Sequence, residues 1–152
     1  MVIYLVYAST SGNVESTMEF VGKVLKKKGF EIYLSRAEET SIDVIKNHKR
    51  FVLGTSTWDH GKLNPFFSNL YKEMQAEKFD DKQAAFVGLG DRRYEPVLFC
   101  EGIIKLRQLW LGAGGEEIVP TLKIQGEPYE QLEPVVLPWA NNLSKIWAEY
   151  NE

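Results

Sequence analysis

The chain has 152 residues, of which 44% are hydrophobic and 26% charged, as expected for an ordinary globular protein with one sizeable core. The net charge of −3 argues against nucleic acid as a main partner, since phosphate backbones are bound by clustered basic residues. The single Cys100 excludes an internal disulfide, and no run approaches the roughly 20 apolar residues of a membrane span. The first apolar run is too short for a signal peptide, so we expect a cytoplasmic protein without membrane partners.

Apolar runs of strand length alternate along the chain with segments whose apolar residues recur at helical spacing. The runs are continuously apolar, which is typical of parallel strands covered on both faces. The predicted strands are 2–8, 30–34, 51–55, 84–89 and 117–124. The predicted helices are 14–25, closed by Gly29, then 42–47, 65–77, 97–111 and 135–150; Pro138 is expected to delay the start of the last one.

This alternation predicts an α/β domain with a doubly wound parallel sheet and helices on both faces, formed by residues 1–152 as a single domain. Right-handed crossovers place ligands beyond the carboxyl ends of the strands, where the winding reverses. The loops that follow the first, third and fourth strands, residues 9–15, 55–64 and 89–97, should therefore form the site, with the rest of the chain as scaffold.

The first loop has the composition of a phosphate-binding loop without a cation. Ser9, Thr10 and Ser11 offer hydroxyl donors, Gly12 permits close approach of the backbone, and Asn13 can cap the next helix. The N–H groups of a helix start can hold an anion without a lysine. An ordinary capped strand-to-helix turn has the same composition, so both interpretations remain open. The loop is neither a Walker A motif nor a three-glycine dinucleotide motif.

The second loop, "GTSTWDHGKLNPFF", carries an aromatic side chain among polar neighbours. The flat ring of Trp58 suits stacking on a planar ligand, although packing over the sheet edge is the alternative. His60, next to Asp59 and Gly61, is either a proton-exchanging group or, as we favour, a solvated loop histidine.

The third loop, "GLGDRRYEP", offers a second aromatic face in Tyr94, after Gly90 and Asp91. The two arginines between them are expected to be solvated. Two aromatic faces on adjacent loops, with a phosphate-binding loop between them, suit a flat ring with a phosphorylated tail, which is the shape of flavin mononucleotide (FMN).

These three loops resemble the flavodoxin family over nearly the whole chain. "STSGNVE" is similar to the family's phosphate loop, "GTSTW" to its tryptophan loop and "GLGDRRY" to its loop with aspartate and tyrosine. The uninterrupted fifth strand resembles the short-chain type. The resemblance implies a strand order of 2-1-3-4-5 with FMN at the switch point.

The resemblance also implies which residues hold FMN and what the protein does. It implies a monomeric electron carrier that shuttles single electrons between a reductase and an acceptor, with no catalytic residue and no metal. The phosphate would be held by Ser9, Thr10, Ser11, Gly12 and Asn13, with Val14 beside them. The ring would lie between Trp58 and Tyr94, near Ser56, Thr57, Asp59, His60, Gly61, Leu89, Gly90 and Asp91.

Three features depart from the family pattern. Val14 replaces the usual threonine and removes a hydroxyl donor, so we expect weaker FMN binding. Asp59 replaces a glycine whose peptide flips, which should stabilise the one-electron-reduced flavin less. Arg92 and Arg93 should raise the lower redox potential or, if they point to solvent, form a docking patch for partners.

Other functions are weighed against this one. A phosphorelay receiver needs an acidic pair after the first strand, and "YASTSGN" offers none. A flavin reductase or a flavoprotein activator of similar fold remains an alternative, as does a module that has lost FMN.

Overall fold

The structure is a computed structural model, and it describes residues 1–58, 61–91 and 99–150. Among these residues, seven strands and five α-helices are formed. The strands are β1 (Val2–Ala8), β2 (Glu31–Arg36), β3 (Arg50–Trp58), β4 (Lys62–Leu63), β5 (Gln83–Gly90), β6 (Glu116–Glu117) and β7 (Leu122–Gln125). The helices are α1 (Asn13–Lys27), α2 (Ile42–Asn47), α3 (Ser68–Met74), α4 (Glu101–Gly112) and α5 (Leu137–Ala148).

The sheet has the predicted winding. Its order is β2-β1-β3-β5-β6, and β7 also pairs with β5. These pairs are parallel, and only the short β4 runs antiparallel, against the end of β3, among the described residues. With β5 as the fourth strand and β6 and β7 as the two parts of the fifth, the expected order 2-1-3-4-5 is confirmed.

The prediction of one continuous fifth strand over 117–124 is wrong. Between two pairs of the ladder, β5 advances three residues, from Ala84 to Val87, while its partner advances five, from Glu117 to Leu122. The two extra residues leave the ladder in the segment 118–121. Pro120 lies there and has no N–H to donate, which explains why pairing is interrupted at this point.

One helix start differs from the prediction and another agrees with it. The segment opened by Pro65 begins as a 3-10 turn, Pro65–Phe67, and becomes helical only at Ser68. The last helix is preceded by a π-turn, Leu132–Val136, and begins at Leu137 with Pro138 in its first turn, so the delayed start is confirmed. The predicted start of the fourth helix at residue 97 lies outside the described residues.

Both faces of the sheet are buried. Successive side chains of β1 point to opposite faces and so pack into different clusters. Ile3 and Leu5 pack into the apolar cluster under α1 and α5, whereas Val6 and Ala8 pack into the cluster under α3 and α4. Helix α1 is closed as predicted by Gly29, which lies two residues beyond its last residue and adopts φ +97°. The N–H groups of Gly29 and the next residue bond the carbonyls of Lys26 and Leu25, which closes the last turn.

The winding places the carboxyl ends of four strands at one edge. Ala8 is in register with Thr55, Ser56 with Leu89, and Gly90 with Gln125. The loops that follow β1, β3, β5 and β7 therefore leave the sheet side by side.

Candidate functional site

The first loop turns from β1 into α1 at Gly12. Gly12 has φ +91°, a left-handed conformation that favours glycine, and its N–H donates to the Ser9 hydroxyl oxygen over 3.1 Å. The helix begins at Asn13, so the prediction that the Asn13 side chain caps α1 is wrong. Its amide oxygen instead accepts a hydrogen bond of 3.1 Å from the hydroxyl of Tyr129.

The turn carries hydrogen-bond donors with no acceptor among the described residues. Among the described residues, nothing accepts from the N–H of Thr10 or of Ser11. The first N–H groups of α1 have no partner within the helix, as at any helix start. The side chains of Thr10 and Ser11 are exposed. The loop thus presents several N–H and O–H groups with a favourable helix dipole behind them.

These groups line a cavity of about 320 Å³ at the carboxyl edge of the sheet. Three predicted loops converge there, together with the loop that follows β7. The lining residues are Ser9, Thr10, Ser11, Asn13, Val14, Ser56, Thr57, Leu89, Gly90, Asp91, Gly126 and Glu127. A larger groove of about 770 Å³ lies between α1 and α5, where no strand ends, so the topology favours the smaller cavity as the ligand site.

Most of the predicted site residues of the first loop meet at this cavity. Gly12 is not among the lining residues, and its role in the structure is to make the turn. Val14 is only 2% exposed and also belongs to the apolar cluster under α1. Its side chain therefore lies between the cavity and the core.

The second loop is held by a small network behind the cavity. The buried Asn64 donates from its amide to the Ser56 hydroxyl over 2.8 Å. The Thr57 hydroxyl oxygen accepts from the N–H of Gly102, at the start of α4, over 3.1 Å. These bonds fix the backbone at the end of β3.

Trp58 is the last residue of β3 and is 42% exposed, which is unusual for so large a ring. Its backbone pairs with Lys62 of β4, so the strand end is held by a short antiparallel ladder. Gly61 is buried, has φ +79° and does not line the cavity. Asp59 and His60 lie outside the described residues.

The third loop contributes Leu89, Gly90 and Asp91 to the cavity. An added Cβ at Gly90 would lie 3.0 Å from the backbone nitrogen of Cys100, so glycine lets the two chain segments approach closely. Tyr94, with Arg92 and Arg93, lies outside the described residues, so its predicted stacking role stays a prediction.

The prediction that the site ends with these three loops, leaving the rest as scaffold, is wrong. Gly126 and Glu127, which follow β7, also line the cavity. The N–H of Gly126 donates to the Gly90 carbonyl over 2.8 Å, and the Gln125 amide donates to Asp91 over 3.0 Å. The sequence does contain a signal for this fourth loop, because the fifth strand ends at the same edge and is followed by Gly126, which has φ +69°.

A second missed feature is an ionic network beside the first loop. The Arg36 guanidinium, at the end of β2, donates to the Ser9 carbonyl and to Glu15, each over 2.7 Å. The Tyr7 hydroxyl donates to the same Glu15 carboxylate over 2.6 Å. Burial is the largest of the causes that raise the pKa of Tyr7 to about 12, and the hydrogen bond to Glu15 and the charge of Glu15 add to it. The loop contains no cation, but a cation from β2 supports it.

Among the described residues, no helix is both long and apolar enough to cross a membrane.

The strand order, and a cavity built by polar loops at the switch point, define an α/β protein with a flavodoxin-like fold. A family model described as Flavodoxin matches residues 5–139. The chain belongs to the flavodoxin family. Flavodoxins bind FMN and carry electrons.

Individual relatives match this chain over nearly their whole length. The chain is 30% identical to "Probable flavodoxin 2" of Bacillus subtilis (strain 168) over 146 residues, which cover 94% of each protein. It is similar to the crystal structure of oxidised Flavodoxin 2 from Bacillus cereus, with a TM-score of 0.85, 26% identity and coverage of 98% and 99%. Fusobacterium nucleatum flavodoxin bound to flavin mononucleotide shares the fold, with a TM-score of 0.78, 19% identity and coverage of 95% and 97%.

Proposed function

We propose that this protein is an FMN-binding carrier of single electrons. The observation that carries the proposal is the cavity at the carboxyl ends of β1, β3 and β5. On one side lie N–H donors that no described residue accepts, and the half-exposed Trp58 lies at the end of β3. Membership of the flavodoxin family supports the same conclusion.

The donor set suits a phosphate dianion. Thr10 and Ser11 carry exposed hydroxyls and N–H groups that have no acceptor among the described residues, and the start of α1 adds further N–H donors. Gly12 makes the turn that brings these donors together. The FMN phosphate would thus be held by residues 9–14, with Val14 contributing apolar contact instead of a hydroxyl.

The flavin ring would lie against Trp58, with Tyr94 on its other face. The backbone of Ser56 and Thr57 on one side, and of residues 89–91 on the other, lines the cavity between them. Asp59, His60 and Gly61 would lie near the ring edge. FMN supplies the redox chemistry when bound, and the protein's part is to hold and orient the ring and limit its contact with water.

The remaining features of the proposal follow the family pattern. Residues 1–152 would form one domain and act as a cytoplasmic monomer. The partners would be a reductase that donates electrons and a protein that accepts them.

Binding of FMN to the purified protein tests the proposal. We expect a yellow protein or, after removal of flavin, saturation by one FMN per chain with quenching of flavin fluorescence. Ser11→Ala should weaken FMN binding severalfold but leave riboflavin binding unchanged, because riboflavin lacks the phosphate. Ser68→Ala is the matched control, since Ser68 is also exposed but lies on α3. A colourless protein that ignores added FMN would overturn the proposal.

A further inference from the structure

Arg36 is fixed by three acceptors at the end of β2. Its Nη2 donates to the Ser9 carbonyl and its Nη1 to Glu15, each over 2.7 Å, and its Nε donates to Glu38 over 3.3 Å. The guanidinium also lies 5.5 Å from the centre of the Tyr7 ring, within cation–π range. With each of its three nitrogens bonded, the guanidinium plane has little freedom to rotate.

The bond to Ser9 has a geometric consequence for the phosphate loop. In a planar trans peptide the C=O and the following N–H point in opposite directions. Because the Ser9 carbonyl points at Arg36, the N–H of Thr10 must point away from Arg36. In the part of the chain that the structure describes, nothing accepts from that N–H, and Thr10 lines the cavity. Arg36 therefore sets the direction of a donor that it does not touch.

Arg36 also offsets negative charge near the loop. Glu15 lies in the first turn of α1, close to the position proposed for the phosphate, and Glu38 follows β2. Without the guanidinium, the negative charges of both carboxylates would no longer be offset by Arg36. The carboxylate of Glu15 would then repel a bound phosphate dianion.

Global stability does not explain the arrangement well. The side chains of Arg36 and Glu15 are 30% and 36% exposed, and ion pairs of this kind usually contribute little to folding. A local role at the loop accounts for the three bonds better.

We propose that Arg36 is the positioning residue of the phosphate loop, which it holds in its anion-binding shape from outside through the Ser9 carbonyl. This inference rests on the proposed function, since FMN is the ligand whose phosphate the loop would take. It assigns to β2 a part in ligand binding, although β2 contributes no residue to the cavity lining.

Comparison of FMN with riboflavin tests the proposal. Arg36→Met should weaken FMN binding at least tenfold, while riboflavin binding stays within twofold of the wild type. Arg36→Lys keeps the charge but not the forked geometry, so its FMN affinity should fall between those of the wild type and Arg36→Met. Arg107→Met is the matched control, because Arg107 is 36% exposed and pairs with Glu117 over 3.0 Å, with neither residue lining the cavity.

The possible results are distinct. Three results would overturn the role of Arg36 while leaving the proposed function intact. They are an equal loss of affinity for FMN and riboflavin in Arg36→Met, no loss of affinity for either ligand, and an FMN affinity of Arg36→Lys no higher than that of Arg36→Met. A wild-type protein that binds neither ligand would remove the proposed function and, with it, this inference.

A double substitution separates positioning from charge compensation. Glu15→Gln removes the nearby negative charge and leaves the Ser9 bond in place, so it should bind FMN at least as tightly as the wild type. Arg36→Met combined with Glu15→Gln should stay at least fivefold weaker than Glu15→Gln alone. Equal affinity of these two proteins would show that Arg36 only neutralises Glu15, and would contradict positioning.

Discussion

The hydroxyl of Tyr7 lies 2.6 Å from the carboxylate of Glu15, and this bond joins the buried strand β1 to the first turn of α1. Tyr7 is 5% exposed and belongs to the core, whereas Glu15 is half-buried beside the proposed phosphate loop. The core and the loop are therefore connected through one hydrogen bond.

Burial of the Tyr7 hydroxyl, together with its bond to Glu15, predicts a change of stability at high pH. The pKa of Tyr7 is raised from 10.0 to about 12 in the folded protein, so the folded state holds this proton more tightly than the unfolded state. The stabilisation is complete below pH 10 and is lost as the pH rises from 10 to 12. In denaturant unfolding, the stability difference between wild type and Tyr7→Phe should shrink by about 2 kcal/mol over this interval.

Glu15→Gln provides the control for this prediction. Its ultraviolet titration should show a lower pKa for Tyr7 than in the wild type, since the hydrogen bond to Glu15 and the Glu15 charge both raise it. A constant difference between wild type and Tyr7→Phe from pH 9 to 12 would contradict the assignment.

Val14→Thr should raise the affinity for FMN and lower the stability of the apoprotein. The added hydroxyl can donate to the FMN phosphate, and a bond to a charged group contributes about 1.5–3 kcal/mol, so the dissociation constant should fall about tenfold or more. Val14 is only 2% exposed, so the apoprotein should lose about 1 kcal/mol.

Val21→Thr is the matched control, because Val21 is fully buried on the same helix and does not line the cavity. It should lose stability without any gain in FMN affinity. If Val14→Thr binds FMN no more tightly than the wild type, the explanation of this departure from the family fails.

Trp58→Ala should weaken binding of both FMN and riboflavin, since stacking acts on the ring and not on the phosphate. Loss of an aromatic stacking partner costs about 1 kcal/mol or more, so we expect at least a fivefold rise in both dissociation constants. Phe66→Ala is the control, because Phe66 is also 42% exposed but lies in the 3-10 turn before α3 and not at the carboxyl end of β3; neither ring is among the residues that line the cavity. Equal effects of the two substitutions on flavin affinity would argue against a stacking role.

Gly88→Ala should destabilise the protein from within the sheet. Gly88 lies on β5, and an added Cβ would overlap the side chain of Ile103 on α4. Overpacking of this kind costs about 1–3 kcal/mol in the free energy of unfolding. Gly112→Ala should be neutral or slightly stabilising, because nothing lies within 4 Å of its added Cβ. Urea unfolding of both variants checks this, and a Gly88→Ala protein as stable as the wild type would contradict the packing of α4.

The sequence was informative where local chemistry determines the structure. Continuous apolar runs predicted the paired strands, and Gly29 predicted the end of α1 correctly. The split of the fifth strand was missed although Pro120 was visible, because a bulge depends on register with β5 rather than on composition.

Long-range contacts account for the rest of what was missed. Arg36 reaches the first loop from 27 positions along the chain, and Tyr129 reaches Asn13 from 116 positions away. A side chain that forms such bonds has no local signature in the sequence. The short ladder between Trp58 and Lys62 was missed for a different reason, since two-residue strands are too short to show periodicity.

The most direct test of the central claim is an anaerobic redox titration of the FMN-loaded protein, followed by absorbance at stepwise potentials. The account predicts one bound flavin that is reduced in two separate one-electron steps and passes single electrons to a one-electron acceptor. A protein that holds no flavin, or whose flavin is reduced only in one two-electron step at the potential of free FMN, would contradict it.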